Sequence, residues 1–429
     1  MRKALTSSAW LLTERALTLL LNFAVSILVA RYLGPTSYGS LSYAIAFVAL
    51  LSTISYLGFG GIVVQELVRD RETHSDTMGV VIYSKLAAAL FAVVLGNAIA
   101  ALVVHDGRDR LLVLLISISM LFDVAIGLRL HFEARTESLA VAMVASASSA
   151  LGAIARVSAV AVAAPVWVFA LIISIQSAIA CLGYVFVYRR SVGPSSRLTF
   201  RLNRAKYLFN KSWPLIISFS AATIYLKIDQ FMLGQMRGMA DVGTYAIAAR
   251  VSEVSYVVPV VIVASVFPRL VELRTVDASK YRRRMRESIR YLFWLGMLVA
   301  VTVSFIARPL ISWLFGEEFR AAGTILAIHV WACPAVFMGM IVEKWFVTED
   351  LLKLFIGRQL MSAAVNVGLN FLLIPKFGGV GSAVATVVAY TLAYYLSCFT
   401  SRKTAQAGIW MSEAIAWPLI RLIRGPQRA

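Results

Sequence analysis

The sequence predicts an all-α membrane protein of about twelve transmembrane helices, in two parallel-related six-helix lobes around a central cavity. Three observations carry that prediction. The 429-residue chain is 60% hydrophobic and 15% charged, with mean hydropathy +0.79, whereas soluble domains are roughly half apolar and a quarter charged. Its apolar runs repeatedly exceed ~18 residues, the length of a bilayer crossing rather than of a core helix. These runs are continuous and not alternating, which excludes a transmembrane barrel and leaves the helix to satisfy backbone amides in hydrocarbon.

The first run, MRKALTSSAWLLTERALTLLLNFAVSILVARYLGP, is interrupted by Glu14 and Arg15 and lacks a following small-residue cleavage site. It reads as an uncleaved first span over 9–31 rather than a secretory signal. Further spans fall at 41–64, 79–104, 111–131, 139–163 and 166–188, then 212–234, 243–266, 289–314, 322–343, 354–374 and 379–400. The loops on one side, with both termini, carry about 29 of the 41 Lys and Arg residues, and the opposite side about 7. That bias puts both termini in the cytoplasm. The net charge of +19 then has anionic headgroups, not nucleic acid, as its natural partner. Cys181, Cys333 and Cys398 lie inside apolar runs and form no metal or disulfide pattern.

The hydrophilic stretch Arg189–Lys211 divides the chain into an N-terminal lobe over 1–188 and a C-terminal lobe over 212–400, with 189–211 as cytoplasmic linker. The tail, 401–429, holds an apolar stretch too short to span, with Trp410 and Trp417, which predicts an interfacial helix. A weak internal repeat supports the division. YGSLSYAIAF after the first span answers VGTYAIAAR after the seventh, with Gly39 on Gly243 by the glycines but Tyr43 on Tyr245 by the YAIA strings. Parallel halves of this kind bind their cargo between them.

Charges at span depth are the candidate functional groups, since each costs about 2.5–3.5 kcal/mol on insertion scales and so faces a partner or a wet cavity. The stretch from Lys227 to Glu253 concentrates them, with Asp229 and Arg250 about ten residues either side of a turn near Met239. Arg15, Arg156, Lys227 and Arg250 are the basic candidates, and Arg31 stands where it can snorkel. Glu14, Asp123, Asp229 and Glu253 are candidates for charge pairing or ion coupling. Arg250 and Glu253 can also pair locally, and Asp123 can equally be a packed, satisfied acid. His329 reads as a core histidine or a proton carrier. Asn22, Asn97, Gln176, Asn366 and Asn370 read as helix bridges or polar path.

ARYLGPTSYG, IDQFMLG, DVGTYAIAAR, LFGEEFRAAGTIL and LIPKFGGVGSAVAT, taken together and in order, resemble the Wzx-type polysaccharide and O-antigen flippases of the multidrug/oligosaccharidyl-lipid/polysaccharide superfamily. That resemblance implies alternating access and passage of undecaprenyl-diphosphate-linked oligosaccharide to the outer leaflet of a bacterial inner membrane, for O-antigen, capsule or exopolysaccharide. It implies no cofactor, a proton or sodium ion as candidate coupling species, and membrane lipids, a glycan polymerase and export machinery as partners. Arginine suits the diphosphate because its planar fork binds phosphate oxygens bidentately. One departure is visible: SYLGFGG carries Tyr56 where the family often has an acid. A drug or cation antiporter of the same superfamily is the nearest alternative. A membrane-embedded glycan polymerase is a more distant one, since no large outer loop, nucleophile, metal or nucleotide motif is present.

Overall fold

Helices account for nearly all of the chain, and no strand occurs among the described residues. The computed structural model describes residues 2–70, 72–193, 198–349 and 351–418, and omits the side chains of 2–17, 20, 138 and 352. The helices are α1 Arg2–Tyr56, α2 Gly60–Arg69, α3 His74–Val103, α4 Gly107–Ser117, α5 Ser119–Phe122, α6 Arg129–Ala134, α7 Ser138–Ala161 and α8 Val166–Val192. They continue as α9 Leu202–Met236, α10 Met239–Val254, α11 Val257–Val276, α12 Ala278–Phe315, α13 Arg320–His329, α14 Cys333–Thr348, α15 Leu352–Tyr394 and α16 Arg402–Ile415. Short 3-10 stretches interrupt the fourth and tenth predicted spans at Asp123–Leu128 and Val330–Ala332.

Ten helical segments are long and apolar enough to cross a bilayer. Two of them are hairpins, so the ten make the twelve crossings that hydropathy predicts. In α15, Arg358 hydrogen-bonds the carbonyl of Ala393 and Ser362 that of Ala389. Both pairs centre between Pro375 and Lys376, so the two legs run antiparallel and the chain reverses at Gly378, whose φ of 53° and ψ of −134° leave the helix. In α1 the reversal follows from its neighbours. Asn22 meets Ser149 and Tyr32 meets Ala164, so the first leg runs parallel to α7. Gly152 and Gly183 abut Gln176 and Val144, which sets α7 antiparallel to α8. Ser174 and Ser191 of α8 bond Leu115 and His131, so α8 is parallel to the α4–α6 crossing. Asn97 meets Ser117 and Gly127 meets Val81, so α3 opposes that crossing. Lys85 reaches Ser55 and Gly96 packs on Leu51, so α3 also opposes the second leg of α1. The two legs of α1 are therefore antiparallel, and the chain turns at Gly34-Pro35, where Gly34 has φ 69° and ψ 174°.

That glycine settles the internal register. Gly238, which starts α10, has φ 101° and ψ 174°, nearly the same bend. Gly34 to Gly238 and Gly39 to Gly243 are both separations of 204 residues, so the glycine alignment holds and the Tyr43–Tyr245 alignment does not.

The chain forms two compact units, Met1–Phe231 and Met232–Ala429. The division falls within α9 and not at the 189–211 segment, because α9 is bonded to the first unit along its length. Arg204 and Lys211 bind Glu66, Phe219 stacks on Tyr56 at 3.6 Å, and Phe231 stacks on Tyr43 at 5.8 Å. The core of this unit gathers Phe59, Val63, Met78, Tyr184 and Leu208. In the second unit, Phe293, Phe337, Phe346 and Trp410 form the corresponding core. Trp410 belongs to the tail helix α16, which differs from the predicted interfacial helix: its apolar face is covered by protein, with Trp294 donating to the Ala414 carbonyl at 3.1 Å. Outward faces remain apolar, as at Leu102 (81% exposed) and Phe305 (84% exposed), the pattern of surfaces solvated by lipid tails. The chain is a multi-pass membrane protein.

Candidate functional site

The first unit holds Arg156 between three crossings. The α7 segment ASASSALGA is rich in small residues, which lets helices approach closely without bulky apolar side chains. Ser149 and Arg156 are two turns apart on one face of α7. Arg156 donates to the side-chain oxygen of Asn22 on α1 at 3.1 Å and to that of Gln176 on α8. Asn22 in turn donates to Ser149 at 3.4 Å. Gly152 completes the arrangement, since a Cβ there would collide with the Gln176 side chain. The guanidinium is half-buried, and its plane is fixed by neutral amides from two other helices. Asn22 and Gln176 are thus helix bridges that also orient a cation.

A second polar cluster lies in the same unit. Lys85 on α3 donates to the Ser55 carbonyl at 3.3 Å and stands in the field of Asp123, which accepts from Ser177 on α8. Asp123 thus has Lys85 and Ser177 as polar neighbours. Lys85 is an intramembrane cation that sequence reasoning missed. Like Arg308 in the ninth predicted span, it sits six residues inside a span end, where a cation passes for a loop flank. Asn97 bridges α3 to Ser117 on α4 at 3.0 Å.

The other candidates are distributed along the chain. Lys227 is half-buried and Asp229 buried (2% exposed) on α9. Arg250 and Glu253 are both half-buried on α10, and Arg31 is exposed near the end of the first leg of α1. The side chains of Glu14 and Arg15 lie outside the described residues. His329 is buried on α13 with Tyr245 edge-on at 6.0 Å, the environment of a core histidine. Asn370 bonds Asn366 one turn away in α15 at 3.1 Å. Among the described residues, no three His, Cys, Asp or Glu side chains converge as a metal site would require.

Sequence reasoning also missed two charged locks. Buried Glu66 accepts from Arg204 (3.1 Å), Tyr207 (2.8 Å) and Lys211 (2.9 Å), and Asp76 pairs with Arg201 at 2.8 Å. The end of the hydrophilic stretch is thereby fastened to α2 and α3. In the second unit Arg358 is 7% exposed and donates to the carbonyls of Ala393 (2.8 Å) and Tyr394 (2.9 Å) and to Ser397 (2.6 Å), with Phe346 beneath it. These carbonyls belong to the last turn of α15, where intrahelical donors run out. Both residues fall within a few positions of predicted span ends, which made them look like solvated flanks.

A family model described as "Polysaccharide biosynthesis protein" matches residues 4–274, and one described as "MatE" matches residues 214–372. The chain is 26% identical over 209 residues to the "Probable low-salt glycan biosynthesis flippase Agl15" of Haloferax volcanii, covering 46% of this chain and 43% of that protein. It is 27% identical over 188 residues to the "Probable flippase AglR" of the same organism, covering 42% and 39%. These matches span less than half the length of either relative. Among solved structures, the lipid II flippase MurJ in its inward closed conformation aligns with TM-score 0.73 at 15% identity, over 97% of this chain and 93% of that one. An inward-facing MATE family multidrug transporter of the MOP superfamily aligns with TM-score 0.63 at 16% identity, over 93% and 95%. At such identities the likeness concerns the fold.

Proposed function

The chain belongs to the polysaccharide biosynthesis protein family, and from that premise we propose that it is a flippase for lipid-linked oligosaccharides. The cargo is an undecaprenyl-diphosphate-linked repeat unit for cell-surface polysaccharide. It passes by alternating access from the cytoplasmic leaflet of the inner membrane to the outer one. The observation that carries this reading is the orientation of Arg156 at span depth by Asn22 and Gln176. A guanidinium held there at the cost of membrane insertion is suited to a phosphate that must cross the same depth.

Lys227 and Arg250, with Arg15 and Arg31, extend the basic set that would accompany the diphosphate. Asp123, beside Lys85, is the acid we assign to coupling by a proton or sodium ion, because an ion arriving there would compete with the lysine charge. A drug or cation antiporter is the second reading, favoured by a 24% identity over 236 residues to the multidrug resistance protein NorM of Vibrio cholerae.

The test is transfer of a polyprenyl-diphosphate oligosaccharide across proteoliposomes containing the purified chain. Arg156→Ala should cut transfer by about tenfold or more, the scale of one charge-assisted hydrogen bond lost (about 1.5–3 kcal/mol), and Arg156→Lys should recover only part, because lysine lacks the planar fork. Unchanged transfer in well-inserted Arg156→Ala would remove the phosphate role. Ethidium efflux without glycan transfer would favour the antiporter.

A further inference from the structure

A cavity of about 1490 Å³ lies in the second unit on the basic side, between α11, α12 and the residues that follow α16. Its walls are graded. Where α11 turns into α12, the lining carries Arg269, Lys280, Arg283 and Arg284. Towards the middle of the crossing it becomes Ile262, Val266, Tyr291, Trp294 and Ile341. The α12 stripe follows helical spacing, and the 11 steps from Arg283 to Trp294 rise about 16 Å.

Arg290 sits at the change of character. Its guanidinium lies over the Trp417 ring at 3.7 Å, and among the described residues no carboxylate comes within 4.0 Å of it. Arg283 and Arg284 share a single acid, Glu287, at 3.6 and 3.3 Å. Arg269 and Lys280 have acids of their own, Glu272 at 2.7 Å and Asp277 at 3.3 Å, so the uncompensated charge lies with Arg283, Arg284 and Arg290, three cations against Glu287.

We propose that this cavity is a binding site for an anionic phospholipid, its phosphate against Arg283, Arg284 and Arg290 and its acyl chains along Val266, Tyr291 and Trp294. The cationic mouth alone would suit any phosphate. The apolar lining distinguishes a lipid, because a free ion gains nothing from Ile262, Val266, Tyr291, Trp294 and Ile341. Basic pockets between transmembrane helices are where multiply charged headgroups are held. The chain's own continuation is a poor occupant: LIRLIRGPQRA, after Pro418, contains three arginines and no acid, so it carries the charge of the rim. The site is independent of Arg156 and of the cargo proposed above.

The experiment is native mass spectrometry of the full chain, delipidated in detergent and titrated with cardiolipin, with phosphatidylcholine of the same acyl chains, and with inorganic phosphate. Cardiolipin should bind in preference to phosphatidylcholine. Its affinity should fall about thirtyfold in Arg283→Ala/Arg290→Ala, at roughly fivefold per basic residue near an anionic surface. Arg283→Lys/Arg290→Lys should retain most of it, which separates lost charge from lost fold. Equal binding of phosphatidylcholine would overturn the proposal, as would unchanged affinity in the alanine pair. Displacement of cardiolipin by inorganic phosphate at equal phosphate concentration would reduce the site to an ion site and overturn the lipid assignment.

Discussion

Replacing Gly378 by alanine tests the hairpin reading of α15 most directly, because the same helix contains its own controls. At φ 53° and ψ −134° an L side chain is strained by about 1–3 kcal/mol. A Cβ there would also stand 2.8 Å from a carboxylate oxygen of Asp241 and displace it. Asp241 would lose its pairing with Arg237 at 3.2 Å, an exposed i,i+4 ion pair worth about 0.3–0.5 kcal/mol. The expected cost is therefore about 1.5–3.5 kcal/mol. Gly357 and Gly368 sit in the straight legs with open space where a Cβ would go. Alanine at either should stabilise by up to about 1 kcal/mol through helix propensity. The assay is reversible unfolding in mixed micelles titrated with SDS, on the three single variants. A spread of about 2–4 kcal/mol, with Gly378→Ala opposite in sign to the others, is the expected result. If Gly378→Ala matches Gly368→Ala in sign and size, the chain does not reverse at that residue and the count of twelve crossings falls with it.

Two further outcomes follow from the charged locks. Arg358→Leu removes the donors to the final carbonyls of α15 and should cost about 2–4 kcal/mol in the same assay, with Arg358→Lys recovering only part; a loss under 0.5 kcal/mol would mean those carbonyls find other donors. Asp277 caps α12, accepting the backbone N–H groups of Lys280 (2.9 Å) and Ser279 (3.0 Å) and the Ser279 hydroxyl, which hold its carboxyl well below the usual range. A depressed carboxylate contributes stability that is fully present above its unfolded pKa of about 3.9 and is lost as pH falls through the folded value. The gap between wild type and Asp277→Asn should therefore hold above about pH 5 and close as the pH falls from about 4 to 2, and a gap that stays constant over that lower range would exclude the cap as its source.

Hydropathy made most of the fold legible, because a bilayer forces long apolar runs wherever the chain crosses it. The turn near Met239 lies where expected, at Gly238. The turns within α1 and α15 are legible too, since the predicted spans break at 32–40 and 375–378, around Gly34 and Gly378, where the backbone leaves the helix. Arg156 stood out because nothing else in its span is charged, and Asn22 and Gln176 were noticed as intramembrane amides. Their convergence on Arg156 depends on the packing of α1, α7 and α8, with Asn22 134 positions away and Gln176 20, which no local pattern encodes. Lys85, Glu66 and Arg358 escaped for the opposite reason: each lies close enough to a span end for composition to class it with the loops.

The shared bend at Gly34 and Gly238 supplies a ruler between the halves, and the ruler separates scaffold from chemistry. Stepping 204 positions back, Asp229 falls on Val25 and Arg250 on Ala46; stepping forward, Arg31 falls on Gln235. The twin bends have thus outlasted whatever ionic likeness the copies once had. The two parts share a backbone bend while carrying unlike charges at matching positions, so a charge assigned to one part cannot be read across to the other.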